Sequence, residues 1–183
     1  MASDRPDDIA LVEAAKGGDV AAFESLVRAH SGAVYGHALR FFGDPQAAED
    51  VVQEVFVKVY RSLAGFDGQA AFTTWLFRVT RNVCLDMLRA GKRRPIPVDP
   101  VDLVPMSSPD HAPGVIDTVV VEDAMRALAP EDREALGAVT LFGMSYAEAA
   151  TELRVPVGTV KSRVFRARRV LLATLGLTGG ERR

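Results

Sequence analysis

The fold is decided by residues 145–172, SYAEAATELRVPVGTVKSRVFRARRVLL, which have the pattern of two short helices joined by a tight turn. Ser145 stands where a helix N-cap belongs, and Glu148 three residues later completes the spacing of a capping box. Residues 154–156, Arg-Val-Pro, supply the turn. We predict that the second helix begins at residue 157 or 158 and continues to about residue 175.

The second of these helices has two different sides. Apolar residues recur at helical spacing and predict a buried face: Val160, Val164, Ala167 and Leu171. Basic residues occupy the other side, and no acid occurs between residues 157 and 172. A run of charge is commonly just a solvated helix face. Here the Ala-rich first helix, the short turn and the one-sided basic helix occur together, so the pattern predicts a helix-turn-helix whose second helix lies in a DNA major groove.

The charge of the chain is sorted along its length. The net charge is only −2 over 183 residues. Residues 61–94 carry +5 and residues 154–183 carry +7, whereas residues 1–60, 95–123 and 124–153 carry −5, −6 and −3. Two basic blocks between acidic ones indicate two separate contacts with a polyanion.

Composition excludes several classes of protein. The single cysteine, Cys84, forms neither an internal disulfide nor a cysteine-cluster zinc site, and its apolar surroundings predict a buried thiol. No apolar run is long enough to span a membrane, and the acidic N-terminus lacks a signal-peptide core. We therefore expect a cytoplasmic protein without membrane insertion.

Three helices are predicted in the first 63 residues. Asp7 or Asp8 is expected to cap the first, which ends at residues 17–18, Gly-Gly. The second continues from Asp19 to Gly43, and Asp44-Pro45 opens the third. The third helix has a wide apolar stripe and, on its opposite side, a compact acidic and polar patch of Glu49, Asp50, Gln53 and Glu54.

A fourth helix, residues 72–91, combines aromatic and basic side chains. Phe72 and Trp75 lie near Arg78, Arg81 and Arg89. Aromatic rings interleaved with arginines suit single-stranded nucleic acid, because bases stack on the rings while the cations contact phosphates. Aromatic residues at helical spacing can also form a core; we expect this for Phe77, and for Trp75 both interpretations stay open.

Residues 95–118 form a distinct connector with six prolines and no lysine or arginine. Such a composition predicts an extended tether. Helices are expected over residues 119–128 and from Pro130 to residue 141 or 142. The predicted fold is all-α: an N-terminal helical domain (1–94), a Pro-rich acidic linker (95–118) and a C-terminal helix-turn-helix domain (119–183).

Two blocks of the sequence resemble an extracytoplasmic-function (group IV) sigma factor, the dissociable promoter-specificity subunit of bacterial RNA polymerase. The first block contains AEDVVQEVFVKVY (48–60) and FTTWLFRVTRNVCLDMLR (72–89); the second contains LFGMSYAEAATEL (141–153) and PVGTVKSRVFRAR (156–168). The similarity covers residues 21–175. It implies an alternative sigma factor that binds core polymerase, directs it to specific promoters and helps to open the −10 region.

The resemblance assigns roles to the N-terminal block. Asp50, Gln53 and Glu54 correspond to the surface that docks on the clamp helices of the polymerase β′ subunit. Residues 66–89 correspond to the element that melts the −10 region and captures bases of the non-template strand. The candidate contacts there are Phe66, Phe72, Trp75, Arg78, Asn82 and Arg89. Asp86 and Arg89 are signature positions, for which a mutual salt bridge is an alternative to a DNA role.

The C-terminal block corresponds to the reader of the −35 element. Lys161, Ser162, Phe165 and Arg166 match positions that reach this element; the two cations suit guanine or phosphate, and the ring suits a thymine methyl. Arg163, Arg168 and Arg169 suit phosphate contacts. Thr159 either caps the helix or contacts phosphate. Lys161 stands where the family also uses arginine, and lysine lacks the bidentate fork, so the base preference there stays open.

The resemblance also implies partners. These are core RNA polymerase, through the β′ clamp helices and the β flap, promoter DNA as duplex and as non-template single strand, and an anti-sigma factor. No catalytic residue, cofactor, metal or small-molecule substrate is expected. In the free chain the two basic modules are expected to pack on each other or on the anti-sigma partner, which would hide DNA-binding surface.

Two other classes explain part of the sequence. A two-domain regulator would account for residues 130–175 but not for the aromatic-arginine helix or the acidic patch. A small helical enzyme would need a site, and His30, His37 and His111 lack the spacing of metal ligands. We expect His30 and His37 to be surface or half-buried histidines.

Overall fold

The structure, a computed structural model, describes residues 6–93 and 127–174, and all regular elements within those ranges are helical. The all-α prediction is therefore confirmed. An N-terminal unit contains α1 (Pro6–Lys16), α2 (Val20–Phe42), α3 (Pro45–Ser62), a 3-10 turn (Leu63–Gly65) and α4 (Phe72–Arg93). A C-terminal unit contains α5 (Pro130–Thr140), α6 (Tyr146–Leu153) and α7 (Val157–Thr174).

Two stretches of the sequence prediction fall wholly or largely outside the described ranges. The predicted linker, residues 95–118, is one of them. The other is the helix predicted over residues 119–128, of which only Ala127 and Leu128 are described; these two form a turn rather than a helix.

Local capping explains where α2 and α3 begin and end. The Asp19 carboxylate accepts a hydrogen bond from the Ala22 amide at 3.1 Å, and Gly43 ends α2 in the left-handed conformation with φ of 67°. The Asp44 carboxylate accepts from the Gln46 amide at 3.0 Å, ahead of Pro45 at the first helical position. These boundaries agree with the sequence prediction.

The start of α1 differs from the prediction. The helix begins at Pro6, so neither Asp7 nor Asp8 is its N-cap. Asp8 lies instead in the first turn with a buried side chain, 3.1 Å from the Nε2 of His30 on α2. The sequence pattern assigned the Asp8 carboxylate to a local helix cap, but it forms a long-range polar contact with His30 instead.

The core of the N-terminal unit is made by apolar stripes of α2, α3 and α4. Val51, Val55 and Val59 repeat at helical spacing on α3 and are fully buried. They are joined by Leu26 and Val34 of α2 and by a group on α4: Leu76, Phe77, Val83 and Cys84. The predictions that Phe77 and Cys84 are core residues are confirmed, and burial raises the pKa of the Cys84 thiol to about 12.

The C-terminal unit contains the predicted pair of helices. Ser145 and Glu148 form the capping box at the start of α6, with the Ser145 amide donating to the Glu148 carboxylate at 2.9 Å. Arg154 ends α6 in the left-handed conformation, with φ of 54°, and α7 begins three residues later. Val160, Val164 and Ala167 face inward and are fully buried, as their spacing predicts.

The two units pack on each other and share one core. Phe142, which follows α5, lies edge-on against Phe77 of α4 with ring centroids 5.2 Å apart, and it also contacts His37 of α2. Gly137 permits this approach, because a Cβ at that position would lie 2.9 Å from the His37 Nδ1. One of the two arrangements expected for the free chain, packing of the units on each other, is thus present; packing on an anti-sigma partner stays a prediction.

None of the described helices is both long and apolar enough to cross a membrane.

Candidate nucleic-acid interface

The outward side of α7 presents the residues predicted to reach duplex DNA. Phe165 is 66% exposed, although an aromatic ring is usually buried. The flanking basic and polar side chains are exposed as well: Lys161, Ser162, Arg166, Arg168 and Arg169. Arg163 is half-buried. The buried face described above holds α7 against its unit, so this side is free for a groove.

Thr159 is not the cap of α7. The helix begins at Val157, and the backbone amides of Thr159 and Val160 donate to the Pro156 carbonyl at 2.9 and 3.2 Å. Thr159 is therefore inside the first turn, and its carbonyl accepts from the Ser162 hydroxyl at 2.9 Å. The capping alternative is excluded, and a phosphate contact stays a prediction.

Arg166 has a protein partner that the sequence did not indicate. Its Nε and Nη2 donate to the two carboxylate oxygens of Asp132 on α5, at 3.0 and 2.7 Å. Asp132 is buried, and its hydrogen bonds raise the pKa of Arg166. Two guanidinium nitrogens are thus occupied inside the unit, and Arg166 is oriented by Asp132 before any DNA is present.

A cavity of about 380 Å³ lies at the start of α4. Phe66, Trp75 and Arg78 line it together with the loop residues Gly65, Asp67, Gln69 and Ala70. The rings of Phe66 and Trp75 lie 5.1 Å apart at a tilt of 40°. The loop is shaped by a hydrogen bond of 3.1 Å from the Gln69 amide to the Asp67 carboxylate. An aromatic wall beside a cation and polar loop groups suits an unstacked base.

Phe72 has a different position from the one predicted. It is only 1% exposed, and its ring packs against His30 at 5.3 Å and Phe66 at 6.1 Å. A fully buried ring has no face for a base, so Phe72 supports the cavity wall from behind. Trp75, half-buried, is the aromatic residue of α4 that reaches the cavity.

Two arginines of α4 are paired with acids of the C-terminal unit. The Arg78 Nε donates to Glu152 of α6 at 2.6 Å, and Arg81 is paired with Glu134 of α5. The hydrogen bond to Glu152 raises the pKa of Arg78. Neither acid was predicted as a partner of α4. The available signal in the sequence was the net charge of −3 over residues 124–153, which is opposite in sign to the +5 of residues 61–94.

The remaining predicted residues of α4 lie farther along the helix. Asn82 and Arg89 are exposed. The Arg89 Nη1 donates to Asp86 at 3.2 Å, so the salt bridge considered for this pair is present in the free chain.

The polar side of α3 is exposed and borders a groove with α4. Asp50, Gln53 and Glu54 are all exposed. Asp50 and Glu54 line the groove of about 400 Å³ together with Lys58, Asp86 and Met87. Lys58 lies 3.5 Å from Glu54 and 3.9 Å from Asp86, so acids and one cation alternate across it. Such a surface suits a protein partner better than DNA.

The two histidines of α2 are buried, which corrects the expectation of surface or half-buried positions. His30 is held by Asp8 and by the Phe72 ring. His37 is enclosed by the rings of Phe41, Phe77 and Phe142. Within the described ranges, no three His, Cys, Asp or Glu side chains are grouped as a metal site would require.

Comparisons with known proteins agree with this architecture. The family "Sigma-70 region 2" matches residues 26–94, and "Sigma-70, region 4" matches residues 118–171. The RNA polymerase sigma-H factor of Pseudomonas aeruginosa is 39% identical, with 90% of this chain and 91% of the relative covered. The ECF RNA polymerase sigma-E factor of Escherichia coli K12 is 35% identical, with 92% and 94% covered.

A solved structure shares the fold as well. It is the sigma factor RpoE of Bartonella quintana in complex with the anti-sigma factor NepR, with a TM-score of 0.68, 26% identity, and 86% of this chain and 98% of that chain covered.

The helical fold with its two basic helices and these matches define a sigma-70-type protein. The chain belongs to the extracytoplasmic-function sigma factors. It is an alternative sigma factor, which directs RNA polymerase to promoters. Sigma factors bind core polymerase and promoter DNA, and they act as initiation factors rather than as enzymes.

Proposed function

We propose that the free chain is a closed form in which the C-terminal unit covers α4, and that core polymerase opens it. The observation that carries this proposal is the pairing of Arg78 with Glu152 and of Arg81 with Glu134. Both arginines lie on the helix that would face the opened strand. While they are bonded to carboxylates, they are not available to phosphates.

Closure on this account has a polar and an apolar part. Arg78 is about half exposed, so solvent screens its pair with Glu152, whereas Arg81 and Glu134 are more buried. The apolar part includes Phe142, which packs on Phe77 and His37, and Leu141, which lies beside Gly36. The contacts of polymerase to both units would have to outweigh these interactions.

Polymerase docks, on this account, at the exposed face of Asp50, Gln53 and Glu54. The face is acidic and borders the groove between α3 and α4. Its partner would be the clamp helices of β′, and the C-terminal unit would contact the β flap. Separate contacts for the two units would hold them apart.

In the opened form, the cavity of Phe66, Trp75 and Arg78 captures a base of the non-template strand. Stacking on an aromatic side chain contributes on the order of 1–3 kcal/mol per base, which offsets part of the cost of melting the −10 region. Arg78, released from Glu152, would then contact the adjacent phosphate. Asn82 and Arg89 lie farther along α4 and would follow the same strand; Arg89 would have to exchange Asp86 for phosphate.

The −35 element is read by α7. Lys161 and Phe165 reach the bases, with Phe165 in contact with a thymine methyl. Arg166 offers the edge of its guanidinium that Asp132 leaves open. Ser162 also reaches the −35 element. The contacts to phosphate, which position the helix, come from Thr159, Arg163, Arg168 and Arg169.

An anti-sigma factor is the expected inhibitor. The Bartonella quintana relative forms a complex with one, and the closed form offers a surface from both units on which such a protein could bind. It would act by stabilising the arrangement that the free chain already has.

The test is in vitro transcription with core polymerase on a genomic DNA library. We expect initiation at a small set of promoters only when the chain is added. We also expect the pure chain to leave no footprint on the same duplexes without polymerase. A specific footprint by the chain alone would favour the two-domain regulator, and absence of any new start site would contradict the proposal.

A further inference from the structure

A second cavity, of about 240 Å³, lies between the N-terminal and C-terminal units. His37, Arg40 and Phe41 line it from α2, Leu88 from α4, and Pro130, Arg133 and Glu134 from α5. It contains none of the residues assigned above to DNA or polymerase. The cavity therefore needs its own explanation.

Three of the lining residues carry buried nitrogens without a hydrogen-bond partner among the described residues. They are the Nε2 of His37, the Nη1 of Arg40 and the Nε of Arg133. The Arg133 Nη1 donates to the Arg40 carbonyl at 2.8 Å, so the two arginines are held next to each other. Two adjacent arginines in the wall of one cavity supply hydrogen-bond donors and positive charge for an anion.

The charges around the cavity also favour an anionic ligand. Burial lowers the pKa of Arg40. Burial is also the largest effect on Arg133, whose pKa is lowered although Glu131 acts in the opposite direction. The carboxylate in the wall, Glu134, is already bonded to Arg81. Two guanidinium groups thus line the cavity, while the carboxylate in its wall is bonded to Arg81 and Glu131 acts on Arg133 alone.

The size and the apolar lining restrict the ligand further. Phe41, Leu88 and Pro130 form the apolar walls. Pockets for drug-sized ligands measure roughly 300–1,000 Å³, so a cavity of 240 Å³ takes something smaller. A planar carboxylate matches the fork of an arginine, and an attached apolar group would fill the rest.

We propose that this cavity binds a small organic carboxylate with an apolar body, with the carboxylate on Arg40 and Arg133. Because the ligand contacts α2 and α5 together, it binds the closed form and not a form with separated units. Binding therefore holds the chain closed in proportion to its affinity. The inference concerns the free chain alone and does not depend on which promoters or partners the protein uses.

The experiment is isothermal calorimetry with thermal unfolding on the full chain, using benzoate as the probe. Benzamide has the same shape without the charge, and inorganic phosphate has the charge without the apolar body. We expect saturable benzoate binding and a rise in Tm, with at least tenfold weaker binding of benzamide and phosphate. The variant Arg40→Met should weaken benzoate binding at least tenfold.

The matched control is Arg28→Met, which removes an exposed arginine from the same helix and should leave benzoate binding unchanged. If Arg40→Met does not fold, Arg40→Lys serves instead, because it keeps the charge but loses the bidentate geometry. Absence of saturable benzoate binding, equal binding of phosphate, or equal binding by the Arg40 variant would each overturn the proposal.

Discussion

Arg78 of α4 and Glu152 of α6 are 74 positions apart in sequence and are joined by two hydrogen bonds, one of them 2.6 Å long. The pair connects the helix with the aromatic cavity to the helix that supports α7. The guanidinium of Arg78 is therefore bonded in the free chain to a carboxylate of the other unit. On the function proposed above, closure and DNA binding would compete for this group.

Packing between the units is tested at Gly137. A Cβ there would lie 2.9 Å from the Nδ1 of His37, whose ring is enclosed by Phe77 and Phe142. We expect Gly137→Ala to lower the free energy of unfolding by about 1–3 kcal/mol through overpacking, although alanine favours a helix by about 1 kcal/mol. Urea denaturation measures the change.

The control for that substitution is Gly32→Ala on α2, because a Cβ there meets nothing within 4 Å. It should stabilise the chain by up to about 1 kcal/mol. If Gly137→Ala is as stabilising as Gly32→Ala, the units are not packed at this point.

Base capture is tested at Trp75. Trp75→Ala removes one aromatic wall of the cavity, so open-complex formation should fall more than closed-complex binding, by about tenfold for the loss of one stacking contact. Permanganate reactivity of the −10 region measures opening, and gel shifts on duplex measure closed binding. Trp75→Phe, which keeps a stacking face, should retain most of the activity. Equal losses at both steps would remove Trp75 from this role.

Recognition of the −35 element is tested on α7. Phe165 is largely exposed, so Phe165→Ala should leave stability unchanged and reduce discrimination at one thymine by about 1–3 kcal/mol. Arg166→Ala should weaken upstream-element recognition and, because it leaves buried Asp132 without this partner, lower the free energy of unfolding, while core-polymerase affinity stays the same. Transcription from promoters with single −35 changes, together with polymerase binding by fluorescence anisotropy, checks both. A parallel loss of polymerase affinity would refute the assignment.

The pH dependence of stability is tested at His37. Burial, with smaller contributions from Arg40 and Arg81, lowers its pKa from 6.5 to about 4. Between pH 6.5 and about 4, His37 is therefore protonated in the unfolded chain but neutral in the folded chain. The free energy of unfolding is thus unaffected by His37 above pH 6.5 and decreases as the pH falls towards 4. The two pKa values correspond to about 3 kcal/mol.

Urea denaturation between pH 7 and 4 measures this effect, and His37→Gln is the comparison, because glutamine does not titrate. The wild type should lose more stability than the variant over this interval. Identical pH profiles would contradict the burial of a neutral imidazole at this position.

Sequence patterns predicted the parts of the fold that local rules determine. The Asp19 and Asp44 caps, the Gly43 end of α2 and the capping box of Ser145 and Glu148 depend on neighbours within four residues. The spacing of the buried valines on α3 and α7 follows the helical period in the same way. The exposed face of α7 is the complement of that buried stripe.

The features that the sequence did not predict depend on contacts between residues that are far apart in sequence. Phe72 and Trp75 are both aromatic residues in the first turn of α4, and only the positions of His30 and Phe66 decide that one is buried and the other reaches the cavity. His30 is buried against Asp8, and His37 is buried among the rings of Phe41, Phe77 and Phe142. No local pattern contains such information. The partners of Arg78, Arg81 and Arg166 were hidden for the same reason.

The most direct test of closure is a distance distribution between the two units, measured by pulsed electron resonance. Labels on Ala29→Cys and Ala147→Cys occupy exposed positions of α2 and α6, and native Cys84 is buried and stays unlabelled. We expect one narrow short distance in the free chain and a broader distribution with Glu134→Gln and Glu152→Gln. Core polymerase should shift it to a long distance. The same distribution with and without polymerase would contradict the account.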